Sequence, residues 1–376
     1  MKYIILLITF LLISACASTD HTEPPAPLVE FEPIIQLKRL WTGHTGASAK
    51  EKHLQLTPAY SNNLVFTASP KGHVRAINLE TGKRQWAKKL EDVSISGGLS
   101  TSLDHILLGS SEGQVFALSQ KEGTTLWQVQ VSSEILSPPI VSDGIVIVRT
   151  VDGKVFALDE SSGAQLWTYE RRVPLLSLRG TSTPLIEDSF VFVGLDNGKL
   201  AILDLQTGKP LWEAPIAVVK GRSDIERMRD IDADPKLYGN TLYATSFQGR
   251  LVAIDMQTGK DIWKREVSSH AGIEVDSEAV YLSDENSHVW AFDRYSGRSL
   301  WRQTKLQARA ITAPAIIDDY VVVGDIEGYL HWMKRSDGQF VARYKVDSAA
   351  INVPPLVINN TLIALTTEGD IAAIQP

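Results

Sequence analysis

The sequence predicts an all-β fold, an eight-bladed β-propeller of four-stranded antiparallel blades. Three observations carry that expectation. A unit of about forty residues recurs along the chain, each copy holds apolar runs of strand length, and no stretch sustains a helical period. The unit is clearest in residues 153–167, GKVFALDESSGAQLW, which open on a Gly, pass through an apolar run and a Gly-containing turn, and close on a Trp. Its openings fall at 72, 113, 153, 198, 249, 287, 328 and 369, in steps of 41, 40, 45, 51, 38, 41 and 41. Strand-type units at that spacing build a radial array. Length alone, 376 residues, would allow two or three domains, but one ring of eight units uses nearly all of it.

Within each unit, the residue two after the opening is aliphatic, from Val74 to Ile371. Two further on it is Ala in six copies, with Ile202 and Trp332 as the exceptions. Apolar residues on both faces describe a strand covered on both sides, and a small residue lets neighbouring sheets approach. The second Gly, as in Thr81-Gly82 or Thr207-Gly208, belongs to a turn that needs positive φ. Pro58, Pro139, Pro184, Pro235, Pro314 and Pro355 each stand fourteen residues before an opening. Lacking an N–H, Pro begins or edges an innermost strand. The recurring Trp reads as a docking residue, because its large ring buries apolar area between blades while its N–H reaches a carbonyl. The last copy, from Gly369, is cut off by the C-terminus, whereas residues 37–41 carry a Trp with no preceding Gly. The N-terminal strand is therefore expected to complete the last blade and leave no open sheet edge.

The two ends are organised differently. Lys2 followed by a ten-residue, largely apolar run, Ile4 to Ile13, has the form of a signal peptide and is too short to span a bilayer. Ile13-Ser14-Ala15-Cys16 resembles the bacterial lipobox, which implies a signal peptide over 1–15 and lipidation of Cys16. In the lipoproteins this segment resembles, Asp after the Cys retains the protein at the inner membrane, so the resemblance with Ala17 implies the outer membrane, on its periplasmic face. Residues 16–36, with Pro24, Pro25, Pro27 and Pro33, read as the lipidated Cys and a flexible tether, and 37–376 as the propeller. Removing the signal removes Lys2, so the formal charge of −7 becomes −7 − 1 = −8. That argues against a nucleic-acid partner.

Sites for chemistry are absent from the pattern. Gly109-Ser110-Ser111-Glu112-Gly113 matches G-x-S-x-G, but it joins two strands rather than a strand to a helix. The eight His form no H-x-x-x-H pair, Cys16 is the only thiol, and no phosphate loop is present. No catalytic residue, metal or cofactor is expected.

The Gly…Ala-Leu-Asp…Thr-Gly…Trp unit resembles the repeat of the quinoprotein dehydrogenases, eight-bladed propellers that bind pyrroloquinoline quinone and calcium; the adjacent cysteines typical of those enzymes are missing. A closer resemblance, covering the whole chain, is to the BamB family, propeller lipoproteins of the β-barrel assembly machinery of Gram-negative outer membranes. It is carried by residues 174–180 (PLLSLRG), by Ile225-Glu226-Arg227 with Asp230-Ile231-Asp232, and by residues 324–338 (GDIEGYLHWMKRSDG).

Connection lengths mark part of the same region independently. Most Trp-to-Pro connections run 10–13 residues, but Trp167 to Pro184 takes 17 and Trp212 to Pro235 takes 23. Trp41 to Pro58 also takes 17. The two adjacent long connections carry leucines flanked by both charge signs, which suits a protein interface. The family resemblance implies that Leu176, Leu178, Arg179, Asp230 and Asp232 contact the POTRA domains of the barrel-insertase subunit. The bland alternative is that the leucines are loop core and Arg179 pairs with Asp230 or Asp232.

The resulting expectation is a non-catalytic scaffold that assists the assembly and insertion of outer membrane β-barrel proteins and contacts their unfolded chains. A shortened quinoprotein enzyme and a generic periplasmic peptide-binding propeller using exposed strand edges stay open as alternatives.

Overall fold

The computed structural model describes residues 23–46, 54–171, 182–216, 231, 233–246 and 249–376. All regular elements among them are β-strands, which form eight four-stranded antiparallel sheets arranged as a propeller. Blades 1 to 7 span 59–89, 95–130, 140–170, 185–215, 236–265, 272–303 and 315–345. Each runs through four consecutive strands, from innermost to outermost. The innermost strands of blades 1 and 2, 2 and 3, 3 and 4, 5 and 6, and 7 and 8 touch around the axis.

Blade 8 closes the ring as the sequence predicts. Its three inner strands come from 356–375, and its outermost is Lys38–His44, paired antiparallel to Asp370–Gln375 with Trp41 opposite Ala373. Each of the six marked prolines stands directly before a first strand, such as Ile140–Ser142 or Leu185–Glu187, where its missing N–H costs no ladder bond.

Register explains the Ala–Trp pattern. The small residue of the third strand lies opposite the Trp of the fourth: Ala76 with Trp86, Ala117 with Trp127, Ala157 with Trp167, Ala253 with Trp263 and Ala291 with Trp301. A β-bulge follows each pair directly, which twists the outer strand and re-aims the Trp. The indole then crosses to the next blade, covers the Gly of its outer turn and donates to a carbonyl there. Six junctions carry that bond: Trp41 to Leu79 (2.6 Å), Trp86 to Gln120 (2.8 Å), Trp127 to Glu160 (2.7 Å), Trp167 to Leu205 (2.9 Å), Trp263 to Arg294 (2.8 Å) and Trp301 to Arg335 (2.7 Å). At Gly208 the turn has φ +67°, and a methyl group there would come within 2.4 Å of Trp167. Only Gly satisfies both the backbone and the contact.

The missing Trp of blade 7 has a structural cause. Its partner would be the outer turn of blade 8, but there the third strand ends at Gln375 and the fourth begins at Lys38, so no such turn exists. The pair is inverted instead, Trp332 opposite Ala342, and Trp332 is fully buried with Ile35 and Leu37 against its cluster.

Residues 23–36 are extended and lie along blade 7. Ala26 and Ile34 donate backbone N–H groups to Gln307 (3.0 Å) and Val341 (2.8 Å), and Phe31 stacks on Phe340 at 5.5 Å. Arg309 and Arg343 donate to the carbonyls of Ala26 (2.7 Å) and Val29 (3.1 Å). Both arginines also reach the buried Asp325–His331 pair, whose members are 2.8 Å apart. Burial works to raise the Asp325 carboxyl, but bonds from His331, Tyr329 and Arg309 hold it below its usual range.

Candidate functional site

The two long connections leave blades 3 and 4 on the same side of the ring. Residues 172–181, 217–230 and 232 lie outside the described residues, and so therefore do Leu176, Leu178, Arg179, Asp230 and Asp232; Cys16 does as well. What the structure defines is the frame from which these segments spring.

Each connection starts as the short ones do. Arg171 donates its N–H to Gly153 (3.2 Å) and Ile216 donates to Gly198 (2.9 Å), just as Val131 donates to Gly113 (2.8 Å) in a short connection. The second ends in a standard way too. Ile135 and Ile351 in short connections cover Gly109 and Gly324, where an added methyl would meet them at 2.4 Å. Ile231 covers Gly194 in the same manner and is buried. The extra length of the second connection is thus confined to 217–230, between two anchors that the ring already provides.

Gly194 is the common seat of both connections. A methyl group placed on it would lie 2.5 Å from Ser182 Oγ, which ends the first, and 2.7 Å from Ile231 Cγ2, which ends the second. A direct bond joins the two as well, because Thr183 donates its backbone N–H to Asp234 Oδ1 at 2.6 Å. Burial pushes the Asp234 carboxyl up, against that bond and the nearby Lys236. Lys236 pairs with Glu274 at 2.8 Å; burial works to lower its ammonium, but Glu274 prevails and the net shift is upward.

Two described arginines at the foot of the first connection, Arg149 and Arg171, are paired. In blade 3, Arg149 takes the place that Gly109 and Gly194 hold in their blades. It is buried, donates to Ser182 Oγ at 3.2 Å and pairs with Asp196. Arg171 donates to Tyr169 Oη at 2.8 Å and pairs with Glu213 across the blade boundary. These bonds raise the Arg171 guanidinium, and Glu213 is held low by Arg171 and Lys199 although burial opposes it. At their bases the two connections are joined by Thr183–Asp234, a pair the sequence reading did not single out; the predicted pairing of Arg179 with Asp230 or Asp232 lies outside the described residues.

A cavity of about 510 Å³ opens on the axis beside this frame, with Thr183, Asp234, Lys236, His270 and Glu274 on its wall. Among the described residues no group of three or more His, Cys, Asp or Glu is placed to hold a metal ion. The G-x-S-x-G segment builds a turn: Ser110 is buried and accepts N–H bonds from Glu112 and Gln114, while Ser111 donates to Glu112.

Comparison with known proteins decides the family. The family model described as "Outer membrane protein assembly factor BamB" matches residues 70–303. A protein of that name from Yersinia pestis is 35% identical over 380 residues, covering 98% of this chain and 97% of its own length. The chain belongs to the BamB family. The crystal structure of BamB from Moraxella catarrhalis superposes with a TM-score of 0.83 at 31% identity, covering 91% of this chain and all of that one (100%). A quinohemoprotein alcohol dehydrogenase from Comamonas testosteroni also superposes, with a TM-score of 0.72 over 90% of this chain and 76% of its own. At 12% identity that likeness is one of fold alone, so the PQQ-type repeat is shared architecture in the BamB family.

Proposed function

We propose that this chain is a non-catalytic scaffold lipoprotein of outer membrane β-barrel assembly. In this reading Cys16 is lipidated and holds the ring at the periplasmic face of the outer membrane. Leu176, Leu178, Arg179, Asp230 and Asp232 contact the POTRA domains of the insertase subunit, and unfolded barrel precursors are steered past the complex. Membership of a family named for outer membrane protein assembly supports the role. The observation that carries the choice of surface is the shared seat. That the two enlarged connections end on one glycine and are joined by Thr183–Asp234 supports reading them as one surface. Pinning loop ends also lowers the entropy lost when a loop binds.

The test is co-purification of POTRA domains with Leu178→Ala and Arg179→Ala variants whose thermal unfolding matches the parent. Hot-spot truncations of this type cost about 2 kcal/mol or more, roughly a thirty-fold loss of affinity. Unchanged affinity in both would remove this surface from the interface.

A further inference from the structure

One of the seven Trp junctions is not closed. Trp212 stands at the docking position of blade 4, yet its indole N–H meets no carbonyl among the described hydrogen bonds. A methyl on Gly259, the matching turn glycine, would meet the Nε1 edge of that indole at 3.3 Å. At the other six junctions the corresponding approach is 2.4–2.7 Å, onto the body of the ring. The cause lies across the strand. Trp212 faces Ile202, where every other docking Trp faces Ala, and the larger side chain displaces the indole from its seat.

The displaced ring leaves a cavity of about 440 Å³ between blades 4 and 5, within the usual range for ligand pockets. It opens on the face opposite the long connections, between the turns at 187–190 and 257–259. Leu237 and Met256 line it, and Phe190 and Leu211 stand at it 39% and 53% exposed. The Met256 carbonyl, counterpart of Leu79, Glu160 and Arg294 elsewhere, accepts no described hydrogen bond. Glu187 and Asp188 sit on the rim, exposed and in no described ion pair.

We propose that this crevice binds a tryptophan side chain presented by a basic segment of another polypeptide. The other six junctions define what fits: a planar indole against a turn glycine, with its N–H on the carbonyl that Met256 offers here. The acidic rim selects positive charge beside the aromatic residue. The site lies on the other face from the proposed POTRA surface, so either reading can fail without the other.

The test uses the chain labelled at methionine methyls and titrated with acetyl-Lys-Trp-Lys-amide. The expected result is a saturable shift of the Met256 methyl with the buried Met333 methyl unmoved, and affinity at least ten-fold lower when Leu replaces Trp in the peptide. Glu187→Gln combined with Asp188→Asn weakens binding several-fold. Ile202→Ala restores the Ala–Trp pair, lets Trp212 take its own seat and abolishes binding. No saturable shift at millimolar peptide, equal affinity for the Leu peptide, or unchanged binding in the Ile202→Ala variant would each overturn the proposal.

Discussion

Replacing the docking tryptophans one at a time by phenylalanine tests how the ring is held together. The substitution keeps a large apolar ring and removes the N–H donor. At Trp41 the donor is buried, with 9% of the residue exposed, and its acceptor is the Leu79 carbonyl at 2.6 Å. Losing it leaves that carbonyl without its described partner, which costs about 1–3 kcal/mol. The smaller ring also leaves part of the seat on Gly82 unfilled, which adds about 1 kcal/mol. Trp41→Phe is therefore expected to lower stability by about 2–4 kcal/mol. Trp212 donates to no described carbonyl, and its approach to Gly259 is looser, 3.3 Å against 2.6 Å for Trp41 on Gly82. Trp212→Phe is expected to cost less than about 1 kcal/mol. Urea unfolding followed by far-UV circular dichroism measures both, with the midpoint and the slope compared separately so that a change in cooperativity is visible. Equal losses for the two variants would show that the hydrogen bond and the glycine seat do not stabilise the blade junctions, and the account of the open crevice would fail with them.

Two further substitutions probe the loop frame. Burial raises the Asp234 carboxyl above its unfolded value, so its contribution to stability is present below the ordinary Asp range and is lost as pH rises through the raised folded value. Asp234→Asn keeps an acceptor for the Thr183 N–H and removes the titrating carboxyl. Stability of the variant relative to the parent should increase from about pH 4 to about pH 8, and a flat difference would refute the assignment. Gly194→Ala forces a methyl to within 2.5 Å of Ser182 and 2.7 Å of Ile231. It should cost about 1–3 kcal/mol and weaken POTRA binding along with it, whereas the same change at Gly324, under Ile351, should cost stability and spare binding.

The repeat made the ring legible, because each blade restates the same choices at the same offsets. Pro before the first strand, Ala in the third and Trp in the fourth are residue-level signals with local causes, and the structure places all three as read. What stayed hidden needed register. Ile202 stands out in the sequence, but its effect on Trp212 depends on the cross-strand pairing that sets the two opposite each other. Trp332 is as visible, yet its inversion with Ala342 makes sense only once the eighth blade is seen to lack an outer turn. One repeated signal was readable and missed: Asp159, Asp204, Asp255 and Asp293 each accept the N–H of a Ser or Thr three residues on, which caps the turn before its Gly. The docking of residues 23–36 along blade 7 has no periodic signal, since a Pro-rich extended segment looks alike whether free or held.

For the candidate interface, length was the legible part and anchoring was not. The surplus residues of the second connection enter after Ile216 and leave before Ile231, and both of those make the contacts that short connections make. Insertion at such a point spares the ring, because no blade contact has to change to admit it, and the loop-closure cost grows only with the logarithm of length. The same anchors end both enlarged connections on one glycine of blade 4, next to the Thr183–Asp234 bond. A propeller can vary a surface in this way without altering its core. It follows that changes within 217–230 should shift partner binding at nearly constant stability, whereas changes at Gly194 or Ile231 should move both together.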